Sequence, residues 1–289
     1  MKKKYVDLQM HSLYSDGECS PKELVEHLKK YNIKAASLTD HNTTKGIPEF
    51  IKECKKYNIK AIPGIELYVT YKRKKLHLLG YNIDINNIFL KKELRKIHKI
   101  KFNFLKKITP LLKKKGIIIE PDVLYNEKAN YIGMNNLISH IESKPNNLKR
   151  IRKVLKKKNY EHWELIKYYF TKEKNTFFPE TYIPIELGIK MIKKAGGISI
   201  LSHPGQQLRF EDDYIILELK KKGIKGLECF SSHYRYSQVA HYVRFAKENK
   251  LIITGGSDYH GDLENNLIIQ RIWDYTLLPY KLYKKIKEF

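Results

Sequence analysis

Short apolar runs alternate with helical segments over residues 1–84, and the alternation returns after residue 185. The apolar runs have the length of buried strands, and the helical segments carry start signals. Ser20, Pro21 and Glu23, for example, predict a helix with a capping box that runs to about Tyr31. Because helices that separate successive strands join them in parallel, the pattern predicts an α/β fold built from β/α units.

Both stretches alternate predicted strands and helices, without a visible internal repeat. The first holds strand 5–8, helix 21–31, strand 33–38, a helix from Thr43 or Thr44 to Tyr57, strand 59–62, and a hairpin of strands 67–71 and 76–81. The second holds helix 184–194, strand 198–201, helix 213–222, strand 226–230, helix 236–249 and strand 251–254. We expect the two stretches to form one barrel-like domain.

The residues between the two stretches have a different pattern. A lysine-rich helix is predicted over 90–115, and prolines divide the remainder into shorter helices and loops. We therefore expect a discontinuous barrel domain, residues 1–85 and 183–289, interrupted by an inserted basic helical subdomain of residues 86–182.

Positive charge is concentrated in this insertion. The chain has a formal net charge of +25, and residues 91–160 contain 20 Lys and Arg against 5 Asp and Glu. Such a surface attracts polyanions, so the insertion is a candidate surface for RNA contact. The alternative is a general bias toward lysine, which would make these residues an ordinary solvated helix face.

Other features argue against several classes of protein. No apolar run reaches the roughly 18–20 residues of a transmembrane helix, and the basic N-terminus is not followed by the apolar stretch of a secretory signal. The cysteines, Cys19, Cys54 and Cys229, are too widely spaced for a disulfide framework or a structural zinc site. We expect a cytoplasmic protein without membrane contact, and a monomer because no apolar surface stripe is visible.

Histidine and acidic residues recur at or near the ends of the predicted strands, where barrels build active sites from loops. Imidazole and carboxylate together form the ligand set of Mn²⁺, Zn²⁺ and Fe²⁺. One such histidine is usually structural, but several at equivalent places predict a metal site. The residues are His11, Asp16, His41, Glu66, His77, His203, Asp258 and His260. Asp7 and Asp40 flank these positions and either orient imidazoles or cap loops.

Seven motifs, in this order, resemble the PHP (polymerase and histidinol phosphatase) superfamily, and in particular its stand-alone members that act on nucleotide phosphates and short RNA. The motifs are DLQMHS (7–12), SDG (15–17), TDH (39–41), PGIE (63–66), HLLGY (77–81), SHPG (202–205) and GGSDYHG (255–261). The resemblance covers nearly the whole chain, and it implies a distorted seven-stranded β/α barrel with an inserted helical subdomain.

The resemblance also implies nine metal-ligand positions, of which eight match by residue type. One ion would be bound by His11, Glu66 and Asp258. A second would be bound by Glu66, His77 and His203, and a third by Asp16, His41 and His260. The ninth position is usually the first histidine of an H-x-H pair, and here it is Gln9. The amide oxygen of glutamine is an uncharged donor that binds a cation more weakly than imidazole does.

Two or three such ions, with Mn²⁺ expected and Zn²⁺, Fe²⁺ or Mg²⁺ as alternatives, would activate a water to hydroxide for attack on phosphorus. Asp258 would belong to this catalytic centre. The resemblance places His233 near the substrate phosphate, where it could also protonate the leaving group; the alternative is an exposed loop histidine. Relatives carry an arginine in the insertion where this chain has GMNN (133–136), so nearby lysines, or Arg150 and Arg152, are candidate substrate-binding replacements. Arg95 lies on the predicted lysine-rich helix, which could line an entrance for nucleic acid.

We therefore expect a metal-dependent phosphoesterase that hydrolyses a phosphate ester of a nucleotide or short oligonucleotide. One alternative is a small-metabolite phosphatase of the histidinol-phosphate type, although a small substrate needs no extended basic surface. The other is a degenerate barrel that binds nucleic acid or a partner protein with weak or no turnover. Gln9 favours this second alternative, whereas the eight retained ligand types oppose it, because buried imidazoles and carboxylates are costly unless paired or metallated.

Overall fold

The computed structural model describes residues 4–124, 132–171, 181–261 and 277–288, except for the side chain of Asn135. The first part contains β1 (Tyr5–Asp7), α1 (Pro21–Lys30), β2 (Ile33–Leu38), α2 (Ile47–Lys56), β3 (Lys60–Tyr71) and β4 (Lys74–Tyr81). The middle part is helical, with α3 (Ile88–Lys114), α4 (Pro121–Leu124), α5 (Met134–Glu142), α6 (Pro145–Leu155) and α7 (His162–Tyr169).

The last part returns to alternating strands and helices. It begins with β5 (Ile183–Pro184), α8 (Ile185–Lys194), β6 (Ile198–Leu201), α9 (Pro204–Gln207) and a 3₁₀ turn (Phe210–Asp212). It continues with α10 (Asp213–Lys222), β7 (Gly226–Ser231), α11 (Tyr236–Glu248), β8 (Ile252–Gly256), β9 (Leu278–Pro279) and α12 (Lys281–Lys287).

The start of α1 follows the local sequence, whereas the start of α2 differs from the prediction. In α1 the Ser20 hydroxyl accepts from the Glu23 N–H at 3.3 Å, and the Glu23 carboxylate accepts from the Ser20 N–H at 2.8 Å. The predicted capping box is thus confirmed. Helix α2 begins at Ile47 instead of Thr43 or Thr44. The reason is Pro48, which lacks an N–H and is tolerated only in the first turn of a helix.

Strand β3 is continuous, although two strands were predicted at 59–62 and 67–71. Pro63 lies in the parallel ladder opposite Leu38 of β2, and the strand continues beyond it to pair with β4. Gly64 makes this possible, because a Cβ at that position would collide with the Ser37 hydroxyl. Pro63 and Gly64 therefore do not end the strand, and Glu66 lies within it.

The strands form a nearly closed barrel. Their order is β8-β7-β6-β4-β3-β2-β1-β9, with β5 paired to β3. Neighbours are parallel except that β4 is antiparallel to β3 and β6, and β9 is antiparallel to β1. Beyond β1, the Leu8 N–H donates to the Gly255 carbonyl of β8 at 3.3 Å, which brings the two ends of the sheet together. Within the described residues seven strands form the wall, as predicted, because β5 and β9 have only two residues each.

The alternation of side chains along the strands directs site residues and core residues to the same face of the sheet. Glu66 shares its face of β3 with Ile62, and His77 shares its face of β4 with Tyr81. Ile62 and Tyr81 belong to one buried apolar cluster, in which the Tyr81 hydroxyl donates to the Leu8 carbonyl at 2.9 Å. The candidate site therefore continues directly from a packed core.

The contacts within the chain group it into two compact units, Met1–Leu94 with Tyr182–Phe289, and Arg95–Thr181. The second unit has its own apolar core, which includes Leu112, Leu137 and Leu165. That residues 86–182 form an inserted domain stays a prediction, because a grouping of contacts does not establish independent folding. Among the described residues, no helix combines the length and apolar character needed to cross a membrane.

Candidate metal centre

The eight predicted ligand residues come together at one end of the barrel. Six of them lie in a strand or within four residues of its end, in strands that run in the same direction, and Asp16 lies in the loop that follows β1. The carboxyl ends of these strands therefore meet there. His77 is the exception, because it lies in the first half of the antiparallel strand β4. Its backbone carbonyl accepts from the Ser202 N–H at 3.0 Å, which places it beside the end of β6. His77 lies early in β4, which is antiparallel to β6, and it therefore lies at the same edge of the sheet as the carboxyl end of β6.

The fully buried carboxylate of Glu66 is at the centre of this arrangement and faces four imidazole nitrogens. Its Oε2 lies 3.2 Å from Nε2 of His11 and 3.3 Å from Nδ1 of His41. Its Oε1 lies 3.1 Å from Nδ1 of His77 and 3.2 Å from Nε2 of His203. One carboxylate with imidazoles on both oxygens is suited to bridge two cations.

Two further carboxylates lie on either side of His11. Oδ1 of Asp258 is 3.1 Å from Nε2 of His11. Oδ1 of Asp16 is 3.8 Å from Nδ1 of His11 and 3.4 Å from Nε2 of His260, and its Oδ2 is 3.4 Å from Nε2 of His41. The rings of His41 and His260 stack on His11, with centroids 4.3 and 4.2 Å away. Carboxylates and imidazoles therefore alternate through one compact cluster.

Within the described residues, three groups of side chains could each hold one cation, because their ligand atoms lie within 4.8 Å of one another. They are His11 with Glu66 and Asp258; His41 with Glu66 and His77; and His11 with Asp16, His41 and His260. The first matches a predicted site, and the third contains one. In the second, His41 stands where His203 was expected, although His203 and His77 approach the same Glu66 oxygen. The assignment of ligands to individual ions stays a prediction.

Polar atoms in the cluster fit bound cations. Glu66 Oε2, Asp16 Oδ1 and His11 Nδ1 are buried and have no hydrogen-bond partner within the described part of the chain. Leaving such atoms unsatisfied is costly. Two atoms that are each about 2.1 Å from one ion lie about 3.0–3.4 Å apart, which is the spacing of most of the contacts above. The donor set suits Mn²⁺, Zn²⁺ and Fe²⁺.

The electrostatics of the cluster keep the carboxylates charged. Burial by itself would raise the pKa of Glu66, but His41 and His77 outweigh burial and hold that pKa well below its usual range. Burial would also raise the pKa of Asp258, but the hydrogen bonds with His11 and His233 outweigh burial and hold that pKa well below its usual range. Burial lowers the pKa of His41 to about 3, so its imidazole is neutral and available as a ligand.

Asp40 and Asp7 hold the loops that carry the candidate ligands. Asp40 accepts from the Ser12 N–H at 2.7 Å, from the Ser12 hydroxyl at 2.7 Å and from the Ser15 hydroxyl at 2.6 Å. Asp7 accepts from the Ser257 N–H at 2.9 Å and from the Gln9 N–H at 3.3 Å. Of the two roles considered for these residues, the bonds correspond to loop capping.

Gln9 is fully buried beside the cluster. Its Nε2 donates to the Ser202 hydroxyl at 3.1 Å, and its backbone carbonyl accepts from the Asp258 N–H at 3.0 Å. Gly256 permits this packing, because a Cβ there would collide with the backbone of Gln9. A direct role of Gln9 as a metal ligand stays a prediction.

The predicted substrate-binding residues differ in their surroundings. His233 follows β7, its side chain is 48% exposed, and its Nε2 lies 3.2 Å from Oδ2 of Asp258. It therefore reaches the cluster and is open to solvent, as a residue that meets substrate must be. Arg95 is exposed on α3, and Nε of Arg150 on α6 donates to the Lys115 carbonyl at 3.4 Å. Both arginines belong to the second unit, and their substrate contacts stay predictions.

Two residues next to the cluster were missed from the sequence. Tyr68 stacks on His41 with centroids 4.5 Å apart and packs on the edge of His77. Glu228 is fully buried in β7, and burial raises its pKa well above the usual range. A signal for Glu228 was available, because it is a carboxylic acid in the middle of the apolar strand 226–230, where a charge has no simple structural use.

A β/α barrel with clustered histidines and carboxylates at the carboxyl ends of its strands defines a class, the metal-dependent hydrolases of barrel fold. The chain belongs to the PHP domain family, whose pattern matches residues 7–181, and the resemblance seen in the seven motifs is thereby confirmed.

Individual relatives extend this match. The 3′,5′-nucleoside bisphosphate phosphatase of Chromobacterium violaceum is 24% identical over 259 residues, covering 88% of this chain and 87% of that protein. A 5′-3′ exoribonuclease of Haemophilus influenzae is 28% identical over 270 residues, covering 90% and 91%. The solved structure of a candidate metal-dependent phosphoesterase from Bifidobacterium adolescentis is 19% identical, with a TM-score of 0.75 over 99% of this chain and 96% of that one. The last likeness establishes a shared fold.

Proposed function

We propose that this chain is a metal-dependent phosphoesterase that hydrolyses a phosphate ester of a nucleotide or short oligonucleotide. The observation that carries the proposal is the position of Glu66, with two imidazoles within 3.3 Å of each carboxylate oxygen. Such an array of buried charge is costly by itself and becomes favourable around divalent cations. Membership of the PHP family supports the same chemistry.

Two or three divalent cations, with Mn²⁺ as our proposal, would activate a water molecule and neutralise the charge that develops on the phosphoryl oxygens. The residues of the chain would hold and orient these cations. His11, Glu66 and Asp258 would serve one position, Glu66 with His77 and His203 a second, and Asp16 with His41 and His260 a third.

His233 would act on the substrate itself. Among the described imidazoles that contact Asp258, that of His233 is the one that is about half exposed. From there it could meet a phosphate oxygen and donate a proton to the leaving oxygen. The contact between its Nε2 and the Asp258 carboxylate would keep the ring oriented.

The substrate class is inferred from the relatives and from charge. The Chromobacterium violaceum and Haemophilus influenzae proteins are named for a nucleoside bisphosphate and for RNA, two substrates that share a phosphate ester on a nucleoside. The concentration of lysine and arginine over residues 91–160 would favour an anionic chain longer than one nucleotide. Arg95 and Arg150 are our candidates for contact with such an oligonucleotide.

We further infer a cytoplasmic location, because the wide spacing of Cys19, Cys54 and Cys229 in the sequence does not suit the disulfide framework of a secreted protein. We infer a monomer, since the sequence shows no strong apolar surface stripe.

The test is elemental analysis of the purified protein, combined with phosphate release from adenosine 3′,5′-bisphosphate and from a 5′-phosphorylated oligoribonucleotide in excess Mn²⁺. We expect two or three ions per chain and turnover, with the faster substrate identifying the class. The variant His41→Ala serves as the inactive control. Less than one ion per chain and no turnover would contradict the proposal and favour a degenerate barrel that only binds.

A further inference from the structure

Three buried side chains form a hydrogen-bonded chain next to the metal centre. Gln9 Nε2 donates to Ser202 Oγ at 3.1 Å, and Ser202 Oγ donates to Glu228 Oε2 at 3.4 Å. All three residues are fully buried. Gln9 follows β1, Ser202 follows β6 and Glu228 lies in β7, so the chain links three segments that are distant in sequence.

The same oxygen of Glu228 also supports the backbone of His203. The His203 N–H donates to Glu228 Oε2 at 2.9 Å. His203 has φ of 21° and ψ of 59°, a left-handed conformation that residues other than glycine rarely adopt. Such a conformation persists only where the surroundings hold it, and the bond to Glu228 is one contact that does so.

The directions of these bonds determine which way the Gln9 amide points. Glu228 Oε2 accepts from both the His203 N–H and the Ser202 hydroxyl. Because the hydroxyl has only one proton, Ser202 acts as the acceptor in its bond with Gln9. The amide nitrogen of Gln9 is therefore committed to Ser202. Its carbonyl oxygen is buried and has no hydrogen-bond partner among the described residues.

We propose that Ser202 and Glu228 are positioning residues that hold the Gln9 amide with its carbonyl oxygen toward the first cation, the one that His11, Glu66 and Asp258 would hold. A glutamine needs such a device, because its amide can turn to present either an oxygen, which binds a cation, or an NH₂ group, which repels one. Gln9 lies beside the candidate ligand Asp258, whose N–H donates to the Gln9 backbone carbonyl. The inference rests on the proposed metal centre and adds two residues to it.

The test is a double-mutant cycle on cation affinity. Metal-free wild type, Ser202→Ala, Gln9→Leu and the double variant are titrated with Mn²⁺ by calorimetry and with Co²⁺ by visible absorption, which reports the ligand environment. We expect Ser202→Ala to weaken one binding step by about 10–100-fold, as is typical when the partner of a metal ligand is lost. Gln9→Leu should have a similar effect, and the double variant should lose little more, because both changes remove one interaction.

Two conservative variants test whether hydrogen bonding is the cause. Ser202→Thr retains the hydroxyl and Glu228→Gln retains an acceptor oxygen, so both should restore most of the affinity and the Co²⁺ spectrum. Thermal unfolding of each metal-free variant is the control for folding. If a Glu228 variant does not fold, the double-mutant cycle of Ser202 and Gln9 tests the inference by itself.

Unchanged affinity in Ser202→Ala, or losses that simply add in the double variant, would overturn the inference and leave the metal centre intact. If instead the wild type binds no cation, the proposed function itself fails, and the inference falls with it. The two failures are distinguished by the wild-type titration.

Discussion

Oε1 of Glu66 lies 3.1 Å from Nδ1 of His77, although the two residues lie on neighbouring strands that run in opposite directions. His77 is paired with Tyr68, two residues beyond Glu66, so the imidazole reaches back diagonally along the hairpin. The hairpin of β3 and β4 thus provides both the central carboxylate and one of its imidazoles.

Replacing this carboxylate should disable the centre. We expect Glu66→Gln to retain the shape of the side chain while removing the charge shared by four imidazoles. Loss of an outer partner of a metal ligand already costs about 10–100-fold, so the loss of turnover should exceed about 100-fold, with fewer ions bound per chain. Elemental analysis and phosphate release measure both. The matched control is Glu53→Gln, a buried glutamate on α2 that pairs with Lys56, which should keep activity. An active, metal-replete Glu66→Gln would refute the bridging role.

His233 should affect chemistry without affecting cation binding. We expect His233→Asn to lower kcat by about 10²–10⁴-fold on a nucleotide substrate, the usual contribution of a general acid. With p-nitrophenyl phosphate the loss should be much smaller, because that leaving group needs no proton. Metal content should stay at the wild-type value. Equal losses on both substrates would assign His233 to phosphate binding instead, and loss of metal would make it a ligand.

Gln9→His should raise occupancy of the first cation position, because an imidazole binds Mn²⁺ or Zn²⁺ more tightly than an amide oxygen does. The readout is ions per chain after dialysis against a limiting chelator, with Gln9→Leu as the opposite control. Metal content that does not change in Gln9→His would show that Gln9 is already a competent ligand or lies away from the cation.

Replacing Asp40 should lower the stability of the folded protein. Asp40→Ala leaves three donors from Ser12 and Ser15 without their acceptor in a buried loop. One such unsatisfied donor costs about 1–3 kcal/mol, so we expect the free energy of unfolding to fall by about 3 kcal/mol. Urea unfolding of the metal-free protein measures this change, and Ser15→Ala, which removes one donor only, should cost less. Wild-type stability in Asp40→Ala would show that water replaces the carboxylate.

Cation affinity should rise with pH. Burial opposes charge on His203, but its contacts with Glu66 and Asp258 outweigh burial and raise the pKa to about 9. Since a cation binds the neutral imidazole, binding near pH 7 must release this proton, and affinity should increase up to about pH 9. Calorimetry in buffers of different ionisation enthalpy counts the protons released, with His203→Gln as the control. No proton release in the wild type would contradict the raised pKa.

The stability of the metal-free protein should follow the opposite trend. The folded pKa of His203 lies above its unfolded value of about 6.5. The stabilisation from its protonated ring is therefore fully present below about pH 6.5 and is lost as pH rises through about 9. Chemical unfolding at pH 6.5 and pH 9 should show this loss in the wild type and a smaller one in His203→Gln.

Local features were predictable where neighbouring residues decide the structure. The capping box of Ser20 and Glu23 acts over three residues, and it was predicted correctly. The predicted start of α2 was wrong, because Pro48 has no N–H and fits only the first turn of a helix, which therefore begins at Ile47. The continuity of β3 through Pro63 and Gly64 depends on how closely β2 approaches, and only the packed sheet determines that distance.

By itself, the sequence determined the fold family, the alternation of strands and helices, and the types of residue that end each strand, because these depend on short segments and on ordered motifs. Only the tertiary structure decided that four imidazoles face Glu66, that His77 reaches the same edge from an antiparallel strand, and that hydrogen bonds connect Glu228 to Ser202 and Ser202 to Gln9. These relationships join residues far apart in the chain. Strand pairing and register set them, and no local propensity encodes which distant strands will pair.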